Sequence, residues 1–548
     1  MRLRLAALSL PLVVAGCVTT APPAPAPAPA APTAGATPTA LSDPELVKRY
    51  QATITPGELA GLLYTYADDY MAGRETGEPG QRFASRFLAG QYAAMGVEPH
   101  GTTASAGAQA DNYGLDRYLQ PFELEQRSLR RLTAVVARGG DEVLRSQASA
   151  DDVSGAVAVP AYGQIEGDAP ARLVFVGTGQ SLDGLDLEGA YAVMLPGADQ
   201  QATRGALEAL NGAGVAAAIL ASAPAAAALQ PQATRAFAAG RLALPEVAGE
   251  SDEDEGGLPT ILFMGQDTVS ELMAAAGIEA GADGSYPTGD TGLTLALDAE
   301  YETSAVETEN VVAFVEGSDP VLKSEVVVIS AHLDHVGDEG EGADTIFNGA
   351  DDDGSGTVTI LEIAEAFQAA KADGHGPRRS ILLLHVTGEE KGLLGSEYYA
   401  DREPLVPIEN TAANLNIDMI GRYDPERGFD TTDYVYIIGG DLISQDLSDW
   451  NAAVNGATGT GLFLSDKFNS PDDPNQFFRR SDHWNFGKYD VPFIFYFTGT
   501  HEDYHGVGDS ADKIDYDRMA RIGRLVFGTA WELANRDERP AVSGVGFN

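Results

Sequence analysis

The side chains best suited to chemistry in this sequence are imidazoles and carboxylates that directly follow an apolar run. His332, Asp334 and His335 come after the run 326–329, which reads Val-Val-Val-Ile, and a glycine-containing loop then leads to three consecutive aspartates at 351–353. Such a β-branched run is typical of a buried strand in a parallel sheet. Chemistry in open α/β sheets sits at the carboxyl ends of strands. Imidazoles and carboxylates at that edge indicate a site for divalent metal ions.

Further ligand-type side chains follow two later strand-like runs and one loop. The run 381–386 leads to Glu389 and Glu390, and a second run ends at Asp418. Adjacent carboxylates repel each other, and like charge raises a carboxyl pKa unless a cation holds the pair. His505 supplies another imidazole in a glycine-rich loop near the C-terminus. These side chains extend the predicted metal site across several strand ends.

The set suits two divalent ions that share one carboxylate. Asp351 would bridge the ions, with His332 and Asp418 on one of them and Glu390 and His505 on the other. Two ions about 3.5–4 Å apart polarise a carbonyl group and lower the pKa of a bridging water. Imidazole and carboxylate ligands favour two Zn²⁺ ions, and Co²⁺ or Mn²⁺ could also bind.

Neighbouring polar side chains are candidates for supporting roles. Glu389 is adjacent to a predicted ligand but holds no ion, so it could act as the general base. Asp334 could accept the second N–H of His332 and so fix its tautomer. Arg480 and His483 could contact the substrate or pack around the site. The other histidines are interpreted as neighbours, packed side chains or solvated side chains: His335 beside the site, and His100, His375, His385 and His501 elsewhere.

The elements that position these residues form a recognisable pattern of strands alternating with helices. Apolar runs at 326–330, 381–386 and 491–497 indicate buried strands, and the helix after Gly354 carries apolar residues at threefold spacing. The pattern predicts an α/β fold with a mixed, largely parallel twisted sheet that is covered by helices on both faces.

Residues 129–299 differ in their residue pattern from the chain on either side. Short β-like runs alternate there with Ala- and Gly-rich turns, and the stretch contains no histidine. We interpret it as a smaller α+β domain, inserted between an N-terminal segment, 43–128, and the main part of the catalytic domain, 300–540.

The N-terminus has the pattern of an export and anchoring signal. A basic start and a short apolar stretch end in Val-Ala-Gly-Cys, so residues 1–16 are interpreted as a lipoprotein signal peptide and Cys17 as the lipidation site. Residues 17–42 form a Pro/Ala-rich tether. We therefore expect a protein that is lipid-anchored in a bacterial cell envelope. The outer membrane, with the protein facing the periplasm or the cell surface, is the favoured location.

The net charge limits the kinds of partner. The chain has 81 acidic and 35 basic residues, which give a net charge of −46. This charge argues against nucleic acids and anionic membrane surfaces as partners. No later run is long and apolar enough to span a bilayer. Membrane contact is expected only through the N-terminal lipid.

The motifs that carry the predicted site resemble, in order, those of the M28 family of zinc peptidases. They are AHLDHVG, NGADDDGSG, GEEKGLLGS, NIDMIG, RSDHWNFGKYDVPFIFY and YHGVGDSADKID. The resemblance covers about residues 43–535, and the stretch LVFVGTGQSLDGLDLEGAYAVMLPG resembles a protease-associated (PA) domain. It implies a zinc exopeptidase (phosphorylase/hydrolase-like) fold and the ligand, base and orienting roles given above. It also implies a cis peptide bond between Asp351 and Asp352.

The leading hypothesis is an aminopeptidase that hydrolyses N-terminal residues from peptides. A carboxypeptidase of the glutamate-carboxypeptidase type is an alternative, which would need a cationic pocket built from Arg422, Arg479 or Arg480. A glutaminyl cyclase, which works with one zinc in related folds, is another alternative. The last is a catalytically inert, receptor-like binding protein. The complete ligand set and the free Glu389 favour catalysis with two ions.

Overall fold

The computed structural model describes residues 41–102, 114–149, 158–163, 165, 169–229, 240–245, 258–282, 284–338, 342–471 and 473–544. The predicted signal peptide, Cys17 and nearly all of the tether lie outside the described residues. Within these ranges, no helix combines the length and the apolar character needed to cross a membrane.

The described chain divides into two compact units. Leu124–Val306 forms one of them, called here the inserted unit, and the chain on either side of it forms the other, called the main unit. The predicted insertion, 129–299, falls within the inserted unit. Its likeness to a PA domain stays a prediction.

The α-helices of the described chain are α1 (Pro44–Gln51), α2 (Pro56–Tyr66), α3 (Pro79–Met95), α4 (Gln200–Gly212), α5 (Gln266–Ala276), α6 (Gly356–Ala372), α7 (Leu394–Glu397), α8 (Gln445–Thr458), α9 (Trp484–Gly487) and α10 (Tyr516–Asn535). The strands are β1 (Glu98–Pro99), β2 (Leu119–Arg138), β3 (Asp141–Ser149), β4 (Val159–Tyr162), β5 (Ala171–Phe175), β6 (Tyr191–Met194), β7 (Ala217–Ala223), β8 (Arg241–Ala243), β9 (Ile261–Gly265), β10 (Gly289–Val315), β11 (Val326–His332), β12 (Ser380–Val386), β13 (Thr411–Ile417), β14 (Tyr434–Gly439), β15 (Phe463–Ser465) and β16 (Phe493–Phe497).

The sheet of the main unit is mixed and largely parallel. Its strands lie in the order β15-β14-β16-β13-β11-β12-β10. β11 runs parallel to β12 and β13, and β13 runs parallel to β16. β14 is parallel to β15 but antiparallel to β16, and the end of β10 is antiparallel to β12. This arrangement confirms the predicted fold class.

Both faces of this sheet are covered, because alternate residues of the central strand enter different cores. Val327 and Ile329 pack in a core with side chains of α1, α2, α3, α6 and α10. Val326 and Val328 pack in a second core that contains Tyr399 and a side chain of α9. This is the two-residue alternation of a β-strand. Burial on both faces explains why the sequence of β11 is continuously apolar.

Helix α6 shows how the sequence places the acidic loop against the sheet. Its predicted stripe of Val358, Leu361, Ala364 and Phe367 is buried. The helix follows directly after the three aspartates, so its packing fixes where the preceding loop lies. The loop itself meets the ends of β11 and β13, as described below.

The inserted unit has a hydrophobic core of its own. β5, β6, β7 and β9 pair in parallel in that order, and β4 is antiparallel to β9. The long strand β2 pairs antiparallel with β3 and β8. Side chains of α4 and α5 pack in one hydrophobic core with the parallel strands.

Candidate metal centre

Four neighbouring strands of the main unit deliver side chains to one edge of the sheet. His332 is the last residue of β11, and Asp418 directly follows β13. Glu389 and Glu390 lie just after β12, and His505 lies in the loop that follows β16. Because β12, β11, β13 and β16 are parallel, their carboxyl ends meet at the same edge. Residues that are distant in sequence therefore converge as predicted.

Asp352 lies at the centre of this cluster. Its Oδ1 is 3.2 Å from Nε2 of His332, and its Oδ2 is 3.0 Å from Nε2 of His505. Oδ1 of Asp418 is 3.8 Å from Nε2 of His332, and Oε2 of Glu390 is 3.1 Å from Nε2 of His505. The two oxygens of Asp352 thus face two different donor groups, which is the arrangement of a bridging carboxylate.

The prediction that Asp351 is the bridge is wrong by one residue. Oδ1 of Asp351 accepts a hydrogen bond from the Gly421 N–H at 2.5 Å, and its Oδ2 lies 3.4 Å from Nε2 of His501. The cis peptide bond joins Asp352 to Asp353, one position later than the resemblance implied. Three identical side chains in a row carry no signal in the sequence that tells which one enters the centre.

Asp353, the third aspartate, holds the surrounding backbone together. Its Oδ2 accepts from the N–H of His332 at 3.2 Å, and its Oδ1 accepts from the N–H groups of Gly356 and Met419 at 2.9 and 3.2 Å. Burial, and after it the charge of Asp418, holds the pKa of Asp353 well above its usual range. This carboxyl ties the ends of β11 and β13 to the start of α6.

The donor atoms fit a pair of zinc ions. Ligand atoms at zinc distances of about 2.0–2.2 Å lie roughly 3.3–3.6 Å apart in a tetrahedral site. The separations around Asp352 run from 3.0 to 3.8 Å. Within the described part of the chain, the buried atoms Nε2 of His332, Oδ2 of Asp352 and Oε1 of Glu390 make no hydrogen bond. Burying a polar atom without a hydrogen-bond partner is costly. Because these unpaired nitrogen and oxygen atoms converge on one place, they favour a bound cation there.

The pKa values of the adjacent glutamates, Glu389 and Glu390, are shifted in opposite directions. Burial raises the pKa of Glu389 well above its usual range, and Glu390 and Asp418 add to the rise while His332 opposes it. For Glu390, burial and the charge of Asp352 also favour the protonated form, but the neighbouring imidazoles of His505 and His335 lower the pKa to about 2. One glutamate is set to hold a proton and the other to stay ionised.

Asp334 contacts His332, but not in the predicted manner. Nδ1 of His332 lies 3.1 Å from the main-chain oxygen of Asp334 and 3.8 Å from its Oδ1. The carboxylate of Asp334 instead accepts from the Thr76 hydroxyl at 2.7 Å and from the N–H of Glu389 at 3.3 Å. The carbonyl therefore orients the imidazole, and the carboxylate positions the backbone of the candidate base.

His335 contributes more than its interpretation as a neighbour suggested. The side chain is fully buried, and its Nδ1 lies 2.9 Å from Oε1 of Glu390 and 3.9 Å from Oδ2 of Asp352. Its ring meets that of His505 edge to face at 5.7 Å. A donor atom from each of His335, Asp352 and Glu390 lies within 4.8 Å of the others. The signal in the sequence was its place in AHLDHVG, three residues after His332.

A second set of residues supports the ligands and was not found from sequence. Ser481 donates its hydroxyl to Oδ2 of Asp418 at 2.7 Å. Asp509 accepts from the N–H groups of Asp351 and Asp352 at 3.0 and 3.1 Å. Burial and the charge of Asp351 raise the pKa of Asp509 to about 6. These residues lie in the motifs RSDHW and GVGDS, but nothing in their type or spacing distinguishes a support from a surface residue.

The structure gives different environments to His483 and Arg480, the two residues that were predicted either to contact the substrate or to pack around the site. His483 is buried and packs against Phe493 and Phe495 with ring centroids 4.7 and 4.6 Å apart, and burial lowers its pKa to about 3. Arg480 is exposed, and its guanidinium lies 5.1 Å from the ring centre of Phe477. His483 therefore packs, whereas Arg480 is accessible from solvent.

Two further side chains near the centre, Tyr504 and His501, were not predicted to belong to it. Tyr504 stacks on His505 with ring centroids 3.9 Å apart. Burial raises the pKa of Tyr504 well above its usual range, so the phenol stays a hydrogen-bond donor. His501, interpreted from sequence as solvated or packed, is nearly buried and faces Asp351. The other histidines of that group lie in aromatic contacts away from the centre: His100 on Phe314, His375 near Tyr50, and His385 bonded to Tyr92.

Curated proteins are similar in sequence to part of this chain. A "Probable zinc metalloprotease" of Pyrenophora tritici-repentis (strain Pt-1C-BFP) is 29% identical over 274 residues, which are 43% of this chain and 53% of that protein. "Aminopeptidase YwaD" of Bacillus subtilis (strain 168) is 25% identical over 222 residues, 39% of this chain and 43% of that protein. The chain thus spans about half the length of the curated relatives it matches.

The fold as a whole is similar to that of a solved aminopeptidase. The aminopeptidase from Aneurinibacillus sp. strain AM-1 superposes with a TM-score of 0.51 at 17% identity, over 92% of this chain and 98% of that one. Residues 310–530 match the family model of Peptidase family M28. Asp352, the side chains around it (His332, Glu390, Asp418 and His505) and Glu389 all lie inside this range. Residues 310–530 thus carry the pattern of Peptidase family M28, on a fold like that of an aminopeptidase.

Proposed function

We propose that the main unit is a metallo-exopeptidase with two zinc ions, and that it removes N-terminal residues from peptides. The observation that carries this proposal is the Asp352 carboxylate, whose two oxygens face His332 and His505 at 3.2 and 3.0 Å. His332 and Asp418 would hold one ion, and Glu390 and His505 the other, with Asp352 between them. Bound zinc would polarise the scissile carbonyl and lower the pKa of a coordinated water.

Glu389 is the residue that moves the proton. Its Oε2 lies 3.9 Å from Nε2 of His332, so it borders the centre without entering the donor group around Asp352. The bond from its N–H to Asp334 keeps this side chain in place. A carboxyl with a raised pKa can take a proton from the attacking water and return it to the leaving amine. Tyr504 stays protonated next to His505 and can donate to an oxygen of the substrate.

The contacts of Arg422 count against a carboxypeptidase, which would need a free cationic group to bind a C-terminal carboxylate. Arg422, a candidate for a cationic pocket, is buried and already pairs with Asp503 at 2.9 Å.

The location of the protein is a separate proposal that rests on sequence alone. The Val-Ala-Gly-Cys pattern and the Pro/Ala-rich stretch support a lipid anchor at Cys17 in a bacterial envelope. The natural substrates would then be peptides outside the cytoplasm.

The test is a matched panel of peptides assayed with the purified, zinc-loaded protein. Peptides with a free N-terminus should be hydrolysed one residue at a time, and their N-acetylated counterparts should not. Treatment with a chelator should abolish the activity, and zinc should restore it. Cleavage of the N-acetylated peptides from the C-terminus would favour the carboxypeptidase. Conversion of N-terminal glutamine to pyroglutamate with a single bound zinc would favour the cyclase, and the absence of any turnover would favour the inert binding protein.

A further inference from the structure

Three polar side chains, called here the polar row, lie inside the sheet of the main unit: Asn414 and Asn416 of β13 and Ser330 of β11. All three are fully buried. The residues of β13 that alternate with the asparagines are apolar and pack in a hydrophobic core: Ala413, Leu415 and Ile417. Burying an amide or a hydroxyl costs free energy unless the group is hydrogen-bonded. The sheet thus carries polar groups in its interior, and each of them needs a hydrogen-bond partner there.

Hydrogen bonds join the polar row to the candidate metal centre. Nδ2 of Asn414 donates to Oγ of Ser330 at 2.8 Å, and this hydroxyl donates to Oδ1 of Asn416 at 2.7 Å. Nδ2 of Asn416 donates to Oγ of Ser481 at 2.9 Å. The Ser481 hydroxyl in turn donates to Oδ2 of Asp418 at 2.7 Å. A continuous chain of hydrogen bonds therefore begins inside the sheet and ends on a proposed zinc ligand.

The direction of every bond in this chain follows from its last acceptor. An ionised Asp418 can only accept, so the single proton of the Ser481 hydroxyl is committed to it. Ser481 must then accept from its other neighbour, so Asn416 turns its NH2 group toward Ser481 and its oxygen toward Ser330. The same reasoning makes Ser330 a donor to Asn416, and Asn414 a donor to Ser330. All the bonds therefore point toward Asp418.

A chain with one direction strengthens its last bond. Successive hydrogen bonds polarise one another, so the Ser481 hydroxyl is a better donor with Asn416 behind it than it would be alone. This bond occupies Oδ2 of Asp418, whereas Oδ1 of the same carboxylate lies 3.8 Å from Nε2 of His332. The carboxylate is thus held so that it offers one oxygen to an ion shared with His332.

We propose that the polar row positions Asp418 through Ser481, and so sets the affinity of the centre for the ion that Asp418 shares with His332. The inference rests on the two-ion centre of the proposed function and adds three positioning residues to it. Loss of a group that bonds directly to a metal ligand typically costs about 10–100-fold in metal affinity. Groups that act through Ser481 lie further from the ion, so their loss should have smaller effects.

The experiment titrates zinc into the metal-free full chain and measures both binding constants by calorimetry. Asn416→Leu replaces the amide with an apolar side chain of similar size and removes the donor behind Ser481. We expect the affinity for one ion to fall by about 10-fold, and that for the other ion to stay at the wild-type value. Ser330→Ala breaks the chain one bond further away and should cost about 3-fold. Ser330→Thr keeps the hydroxyl and should bind zinc like the wild type.

Two controls separate positioning from a structural role. Ser380→Ala removes a buried hydroxyl from the neighbouring strand β12, where it donates to the main-chain oxygen of Lys323 at 2.8 Å. This variant should bind both ions like the wild type. Adding Asn416→Leu to Glu390→Gln identifies the affected ion, because Glu390 belongs to the other one. The ion that Glu390→Gln retains should bind more weakly in the double variant.

Several results would overturn the proposal. Wild-type affinity for both ions in folded Asn416→Leu and Ser330→Ala would show that the polar row does not act on the centre. An equal loss for both ions, or the same loss in Ser380→Ala, would show a general effect of destabilisation. If Asn416→Leu does not fold, the two Ser330 variants decide, and equal zinc affinity in Ser330→Ala and Ser330→Thr would contradict the proposal. A wild-type protein that binds fewer than two zinc ions would instead contradict the proposed function.

Discussion

Oδ2 of Asp352 lies 3.0 Å from Nε2 of His505, and this contact joins the loop after β11 to the loop after β16. The other oxygen of the same carboxylate faces His332, at the end of β11 itself. The backbone of Asp352 is held from behind, since its N–H donates to Asp509 at 3.1 Å. A single carboxylate is thereby fixed between donor groups that the sheet brings together from three parts of the chain.

Replacing the candidate base should stop catalysis without removing the metal. Glu389→Gln keeps the size of the side chain but removes the proton acceptor. We expect kcat on an aminoacyl substrate to fall by at least about 10²–10⁴-fold, the usual contribution of general base catalysis. Elemental analysis should still find the wild-type zinc content. Retention of most of the activity with both ions present would show that Glu389 is not the base.

The adjacent glutamate provides the matched variant for that experiment. Glu390→Gln changes the carboxylate that lies 3.1 Å from His505 and 2.9 Å from His335. We expect this variant to lose zinc as well as activity, because an amide is a poor ligand for zinc. If Glu390→Gln keeps its zinc while Glu389→Gln loses it, the two roles are exchanged.

His335 should strengthen binding of the ion that Glu390 holds. Removal of its ring nitrogens in His335→Phe keeps an aromatic ring but leaves Oε1 of Glu390 without a neighbour. We expect the affinity for the more weakly bound ion to fall by about 10–100-fold, as for other residues that support metal ligands. Titration calorimetry with zinc on the metal-free protein measures this change. His483→Phe, which alters a buried histidine away from the donor group, serves as the control and should bind zinc like the wild type.

Arg74 should be essential for stability, because it joins the segments that carry the centre. Its buried guanidinium donates to the main-chain oxygens of Leu333, Tyr66, Asn348 and Gly349 at 2.7–3.2 Å. Arg74→Met would leave these oxygens without their donor. We expect the free energy of unfolding to fall by at least about 3 kcal/mol, since each hydrogen bond to a charged group contributes about 1.5–3 kcal/mol. Urea unfolding of the metal-free protein tests this, and a loss below 1 kcal/mol would contradict it.

The pH dependence of stability should depend on Glu362 in α6. This carboxyl is buried, and burial, followed by the charges of Glu58 and Glu365, raises its pKa from 4.5 to about 8. Because the folded-state pKa is the higher one, the contribution of Glu362 to stability is fully present below about pH 4.5 and is lost as the pH rises through about 8. Glu362→Gln should therefore be more stable than the wild type at pH 9.

Unfolding at several pH values measures this difference between the two proteins. The advantage of Glu362→Gln should shrink steadily as the pH is lowered and should be absent near pH 4.5. Glu365→Gln changes an exposed carboxyl of the same helix and should show a smaller effect. A difference between Glu362→Gln and the wild type that does not vary with pH would contradict the assignment.

The sequence was sufficient to predict the sheet and most of the centre. Continuous apolar runs such as 326–329 identify strands that are buried on both faces, and ligand-type residues after such runs must meet if the strands are parallel. His332, Glu390, Asp418 and His505 were predicted in this way, and the structure brings them together. Their types and positions contain the necessary information.

The predictions that were wrong depend on the local backbone conformation, which residue types alone do not determine. Asp351, Asp352 and Asp353 are equally suited to a metal, but only the local backbone decides that Asp352 enters the centre. Likewise, Asp334 was expected to orient His332 through its carboxylate, whereas the main-chain oxygen does so. The supports Ser481 and Asp509 were missed because hydroxyl and carboxyl groups are common on every protein surface.

The zinc content of two neighbouring variants tests the central claim most directly. The two oxygens of Asp352 face His332 and His505, and the proposed function makes this carboxylate the one shared by both ions, whereas Asp351 accepts a hydrogen bond from Gly421. Zinc-loaded wild type should contain close to two equivalents. Asp351→Asn, which can still accept the bond from Gly421, should keep two equivalents, and Asp352→Asn should lose one or both ions. Two equivalents in Asp352→Asn together with loss of zinc in Asp351→Asn would contradict the account.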